Sequence, residues 1–124
     1  MIEIVEQLLD PIRILATSNL MIGSIITLSY NKDDVYCTLS NSLNPLGIVV
    51  GSYDQWGMVP ILCDMAIIKL DTYEKAEDYN IGDSLYSNNF GQLTKNKYHN
   101  NSLLLGHIIN PPSKDNPVME INWI

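Results

Sequence analysis

The sequence predicts an all-β fold, a small barrel or sandwich, and three observations carry that expectation. Short runs rich in Ile, Val, Thr and Tyr recur from Ile12 to the end of the chain, residue types that suit a pleated, half-buried surface. Turn signals punctuate them, among them glycines and the pairs Asp33-Asp34, Asn44-Pro45 and Asn88-Asn89,. The helical stretches of about a dozen residues that parallel crossovers need are missing between the runs, which leaves a sandwich or a barrel.

Taken in order, residues 1–11 come first, with apolar side chains at Ile2, Val5, Leu8 and Leu9 close to a helical stripe,. Asp10-Pro11 ends the segment because the residue before proline avoids the α region,. The expectation is a short N-terminal helix or an extended arm. The strands follow at 12–16, 24–30, 35–39, 46–51, 59–63, 66–70, 84–86, 91–94, 103–109 and 118–123, each an Ile-, Val-, Leu- or Tyr-bearing run closed off by a turn signal,. A chain of 124 residues buries roughly two-thirds of its unfolded surface and has interior for one core, so residues 12–124 are expected to form a single domain.

A repeat lies inside that domain. Gly23 and Gly82 stand 59 residues apart, as do Gly47 and Gly106. The same offset pairs Asn41 with Asn100 and Val59 with Val118, and sets Gly47-Ile48-Val49-Val50 beside Gly106-His107-Ile108-Ile109. A glycine ahead of a strand supplies a positive-φ turn or a close backbone approach, so its recurrence implies one turn–strand geometry used twice. Halves at about 12–64 and 71–124, related by a pseudo-twofold axis, are the expected organisation.

Composition narrows the function. The chain carries 14 acidic residues against 7 basic ones, a formal net charge of −7, and such a field repels a phosphate backbone. Nucleic acid is not an expected partner. Cys37 and Cys63 have neither the spacing of a metal clip nor the density of a disulfide-stapled domain,, and buried free thiols are the default for them. The N-terminus lacks a basic, cleavable leader and no apolar run approaches the ~20 residues of a membrane span,, so a soluble chain with no membrane partner is expected.

The segments that could carry chemistry each have a plainer reading. Gly82-Asp83-Ser84-Leu85 spells the signature of a serine esterase family, in which the serine needs a histidine base and an orienting acid,. No Asp-x-x-His follows it, and His99 and His107 are the only histidines, His107 within an apolar strand,. The first copy of the repeat, Leu20-Met21-Ile22-Gly23-Ser24-Ile25, has the same turn without the Asp-Ser-Leu letters, so a repeated turn explains the glycine and no catalytic residue is assigned. The carboxylates at Asp33-Asp34 and at Asp71, Glu74, Glu77 and Asp78 lack the loop pattern of a calcium site, and Cys37, Cys63, His99 and His107 lack zinc spacing,. No metal or cofactor is expected. Lys95-Asn96-Lys97-Tyr98-His99-Asn100-Asn101 is the sole basic patch and reads as a solvated hairpin tip. The loop from Gly51 to Gly57 places Tyr53 and Trp56 between glycines, which suits a sugar-stacking platform, a protein-interface anchor or a loop folded over one end of the core.

The second half has a further pattern: Tyr79-x-x-Gly82-Asp83-x-Leu85, then Phe90-Gly91-Gln92-Leu93-Thr94, then Leu105-Gly106-His107-Ile108-Ile109. It resembles the succession of turn, G-D-x-L, N-G-x-L-T hairpin and L-G-x-V in small tailed-bacteriophage virion proteins, the capsid decoration (cement) subunits and head-fibre bases. The resemblance covers residues 79–123 and reaches the first half through the repeat. It implies a non-enzymatic structural protein of the virion, assembled in the host cytoplasm, that binds the major capsid protein or other virion subunits as a homo-oligomer such as a trimer. It also implies a docking role for the N-terminal arm through Ile2 and Val5, beside Tyr53 and Trp56 as interface residues. The alternative is a carbohydrate- or receptor-binding module of a phage tail or adhesin.

Overall fold

Where apolar and polar side chains alternate, a strand can bury one face and wet the other, and the strands at 66–70, 84–87, 106–110 and 119–123 do so. A computed structural model of the chain describes all residues except 17–19, 32–33, 40–43 and 76, and gives the backbone alone for 30, 31, 34–37 and 39. The described residues form β1 (Ile2–Gln7), β2 (Ile12–Ala16), β3 (Ile25–Asn31), β4 (Asp34–Leu39), β5 (Gly47–Val49), β6 (Met58–Leu62), β7 (Ala66–Leu70), β8 (Ser84–Ser87), β9 (Leu93–Thr94), β10 (Gly106–Asn110) and β11 (Met119–Trp123). There is no helix among them. The fold is all-β.

The strands make two sheets. One is a closed ring in the order β2-β4-β3-β5-β6; the other is a six-stranded sheet in the order β1-β7-β11-β10-β8-β9. Neighbours are antiparallel except β2 and β4, whose parallel pairing of Leu15 with Tyr36 and Ala16 with Cys37 shuts the ring.

Consecutive residues on three ring strands face opposite ways, and both ways are buried. Ile26, Val49 and Ile61 join Ala16, Leu20 and Val59 inside the ring, with Ile14 and Cys63 packed against them. Their neighbours Ile25, Ile48 and Leu62 point outward into a larger core with Ile68, Leu70, Leu85, Ile108, Met119, Ile121 and Trp123 of the six-stranded sheet. The wall made by β3, β5 and β6 is thus dry on both faces. That explains why Ile25-Ile26, Ile48-Val49 and Ile61-Leu62 are apolar doublets where a one-sided strand would alternate. The outer face of the six-stranded sheet is wetter, with Glu3, Lys69 and Glu120 adjacent across β1, β7 and β11.

The N-terminal segment corrects the helical reading. Ile2 pairs with Leu70, Glu3 with Lys69 and Ile4 with Ile68; the register then slips so that Glu6 pairs with Ile67 and Gln7 with Ala66. A bulge at Val5 breaks the period of two. Apolar residues at positions 2, 5 and 8 therefore imitate helical spacing while belonging to a strand.

The repeated turns have matching hydrogen bonds. Gly23 and Gly82 both have positive φ, +92° and +85°, as a turn of this handedness requires. The Gly23 amide donates to the Val49 carbonyl and that of Gly82 to the Ile108 carbonyl, each at 2.8 Å. Ser24 N–H bonds Met21 O, and Asp83 N–H bonds Asn80 O, each at 3.1 Å. At Gly47 and Gly106 a Cβ would fall 2.7 Å from the Leu62 carbonyl oxygen and 2.1 Å from that of Asn122, so a neighbouring strand lies against both. The expected pair of equal halves about a pseudo-twofold axis is not what the sheets present, however. One closes on itself and the other stays open and continues into β1. The offset also slips at the last strand, since Ile48 pairs with Leu62 but His107 with Asn122.

Candidate functional site

The loop between β5 and β6 combines a fixed backbone with an exposed aromatic side chain. Asp54 organises it. Its Oδ1 accepts hydrogen bonds from the amides of Trp56 at 2.9 Å and Met58 at 3.0 Å, and its Oδ2 accepts one from Arg13 of β2 at 2.9 Å. The Asp54 amide donates to Met58 O at 2.8 Å and Gly57 N–H returns to Asp54 O at 3.2 Å. Ala16 N–H donates to Gly57 O at 3.0 Å, tying the loop to the end of β2. A short polar side chain that bonds the backbone two and four residues on is a turn-maker of high local specificity.

The electrostatics follow from those bonds. The Met58 amide holds the Asp54 carboxyl below the usual aspartate value, partial desolvation opposes it, and the Trp56 amide and the Arg13 guanidinium add to the lowering. Asp54 is therefore charged at neutral pH, and the staple is complete there.

Trp56 stands at the tip of this turn with 69% of its surface exposed, and Tyr53 beside it with 41%. The other tryptophan, Trp123, is 1% exposed in the core. An indole in water on an ordered turn has little conformational entropy to lose on binding, which is the property of an interface anchor. The geometry suits stacking on a flat apolar surface or insertion into a partner's pocket.

Of the remaining candidate interface residues, Val5 is exposed at the bulge, whereas Ile2 packs with Ile4 against the main core. The segment expected as a helix or an extended docking arm is a paired strand, and Ile2 is partly buried against the main core.

The structure brings Ser84 and His107 together, a proximity that sequence order hid: they are opposite one another on β8 and β10, with Asn122 next to His107 on β11. All three are half-buried in one row of the sheet's outer face. A nucleophile and its base need a hydrogen bond of about 2.6–3.2 Å and donors for the developing oxyanion. A recess along that row is lined by Glu6, Ile67 and Asn122 and by neither Ser84 nor His107, so the pair carries no acyl-transfer argument.

The acidic run at 71–78 is engaged in joining loops. Asp71 accepts the amino group of Met1 at 2.7 Å, which keeps its carboxyl below the ordinary range. Glu74 accepts from Asn88 at 2.9 Å and from the Tyr98 hydroxyl at 2.9 Å, and the bond to Glu74 raises the Tyr98 hydroxyl's pKa. Asn96 donates to Glu77, and Lys95 to the Asp78 carbonyl. Lys97 lies over the Tyr86 ring, 5.9 Å from its centroid. Among the described residues no group of three or more His, Cys, Asp and Glu is placed to hold a metal. Cys63 has a free thiol whose pKa burial pushes up, helped by Asp64. Asp33 and the side chains of Asp34 and Cys37 lie outside the described residues.

The Asp54 staple was the element that sequence reading missed. Its local signal is Asp at the first and Gly at the fourth position of Asp54-Gln55-Trp56-Gly57, a type I turn pattern; its Arg13 partner, far back along the chain, has no such signal. No family model matches the chain, and no curated protein matches it.

Proposed function

We propose that the chain is a non-enzymatic binding subunit of a larger assembly, with Trp56 as the anchor. The observation that carries this is the exposed indole on a turn whose backbone is bonded through Asp54. The assembly that the second-half motifs suggest is a tailed-phage head, where the chain would be a decoration subunit seated on the major capsid protein as an oligomer.

On this reading the chain co-purifies with density-banded virions and is found there by mass spectrometry. Trp56→Ala is released from the particles while its unfolding free energy in urea stays within about 0.5 kcal/mol of the parent's, the usual range for surface changes. Absence from every particle fraction overturns the virion role. Tyr53 beside Trp56 favours one alternative, a carbohydrate or receptor reader; glycan-array binding lost in Trp56→Ala would select it.

A further inference from the structure

We propose that the open edge of β1 takes an extended, basic segment of a partner protein as an added strand of the six-stranded sheet. This surface is separate from the Trp56 loop and does not depend on its role.

β1 is the outermost strand of its sheet, paired with β7 on one side and with no described strand on the other. The direction of its free hydrogen-bonding groups follows from the ladder. Asp71 N–H donates to Met1 O at 3.3 Å and Leu8 N–H to Met65 O at 3.4 Å. In an antiparallel pair the bonded positions alternate, and the bulge at Val5 resets the count, so Glu3 and Glu6 face β7. The amides and carbonyls of Ile2, Ile4 and Gln7 turn to the open side. Added strands are held through such groups.

On the paired side of β1, over the outer face of β7, lies a recess of about 300 Å³ that runs from Glu6 and Leu8 past Met65 and Ile67 to Asn122 of β11. Of its lining, Leu8 at 72% and Met65 are exposed, and Val5 at 47% and Leu9 are exposed elsewhere in the same N-terminal segment. The edge also carries charge at Glu3 and Glu6 and a bulge at Val5, devices that discourage indiscriminate strand pairing, so a strand added there has to complement that charge.

The charge pattern identifies the occupant. Glu3 and Glu6 lie on the outer face of β1, with Asp10 and Asp64 exposed nearby. Lys69, the cross-strand neighbour of Glu3, is also beside Glu120. A second copy of the chain, itself at −7, would bring acidic edge to acidic edge. A strand that alternates basic and apolar residues meets both requirements, its basic side chains beside Glu3 and Glu6 on the outer face and its apolar ones beside Ile2 and Ile4 on the inner.

The probe is a fluorescein-labelled synthetic peptide of alternating Lys and Val, with an alternating Glu and Val peptide as control, followed by anisotropy against the whole chain. Saturable binding of the basic peptide alone is expected. Gln7→Pro removes an outward amide while sparing the β7 ladder, as proline on an edge strand can, and is expected to weaken binding at least about tenfold, roughly 1.4 kcal/mol. Glu6→Lys should weaken it comparably with an unaltered circular dichroism spectrum, and decides the matter if Gln7→Pro does not fold. Trp56→Ala should bind the peptide as the parent does, so this idea and the anchor role fail separately. Equal binding of both peptides, or no effect of either edge variant, overturns the proposal. So does a dimer in sedimentation that Gln7→Pro dissolves, since the occupant is then a second copy.

Discussion

Asp54 is the residue on which the exposed loop depends, and its protonation is the direct test. A carboxyl whose folded pKa is depressed contributes fully above its unfolded value, 3.8 here, and loses that contribution as pH falls through the lower folded value,. The amide NMR signals of Trp56 and Met58 are therefore expected to shift together in acid with a midpoint below 3.8. A midpoint at or above 3.8 would mean that the carboxylate does not hold those amides. The glycines give a second residue-scale test because the two matched turns differ in surroundings. A Cβ at Gly82 would meet nothing within 4 Å, whereas one at Gly23 would fall 2.0 Å from Thr72 Oγ1. Gly82→Ala should cost about 1–2 kcal/mol in urea unfolding, the strain of a left-handed alanine. Gly23→Ala should cost more, and adding Thr72→Ala should bring it down towards the Gly82 figure. The Thr72 hydroxyl is buried without a hydrogen-bond partner, so its removal forfeits no bond.

At the scale of the element, strand positions were largely legible and pairings were not. Segments 12–16 and 66–70 coincide with β2 and β7, and the other expected strands lie within a few residues of those found, because β-branched runs closed by turn residues are local facts. The run 103–109 shortens to Gly106–Asn110, with Leu103 and Leu104 exposed ahead of it; apolar letters alone do not say which end of a run is paired. β1 was hidden by its bulge, as a helical stripe and a bulged strand share the spacing of Ile2, Val5 and Leu8. The doublet Ile61-Leu62 offers a test of the shared wall. Ile61→Ala opens the ring interior and Leu62→Ala the main core, and each is expected to cost about 2–5 kcal/mol in denaturant unfolding. A strand wet on one face would give one large and one negligible value.

Across the whole molecule, the shared wall ties the two cores into one transition. Trp123 reports on the main core and the Cys63 thiol on the ring side, so tryptophan emission and thiol labelling should follow the same urea curve. Separate midpoints would mean that ring and sheet unfold independently. The candidate site was half legible at this scale. Tyr53 and Trp56 stood out between glycines, while the Arg13 bond to Asp54 and the pairing of Ser84 with His107 come from strand order, which no local pattern encodes. Net charge pointed away from nucleic acid, and in the folded chain Glu3 and Glu6 carry a share of it on β1.

The wall of β3, β5 and β6 has one more consequence. Cut between Asp64 and Met65, the chain yields one fragment with Ile25, Ile48 and Leu62 bare on its flank and another with Ile68, Leu85, Ile121 and Trp123 laid open. Each piece holds the only cover that fits the other. The severed halves should therefore find one another in solution and restore the native fold, which makes this small domain a natural split protein.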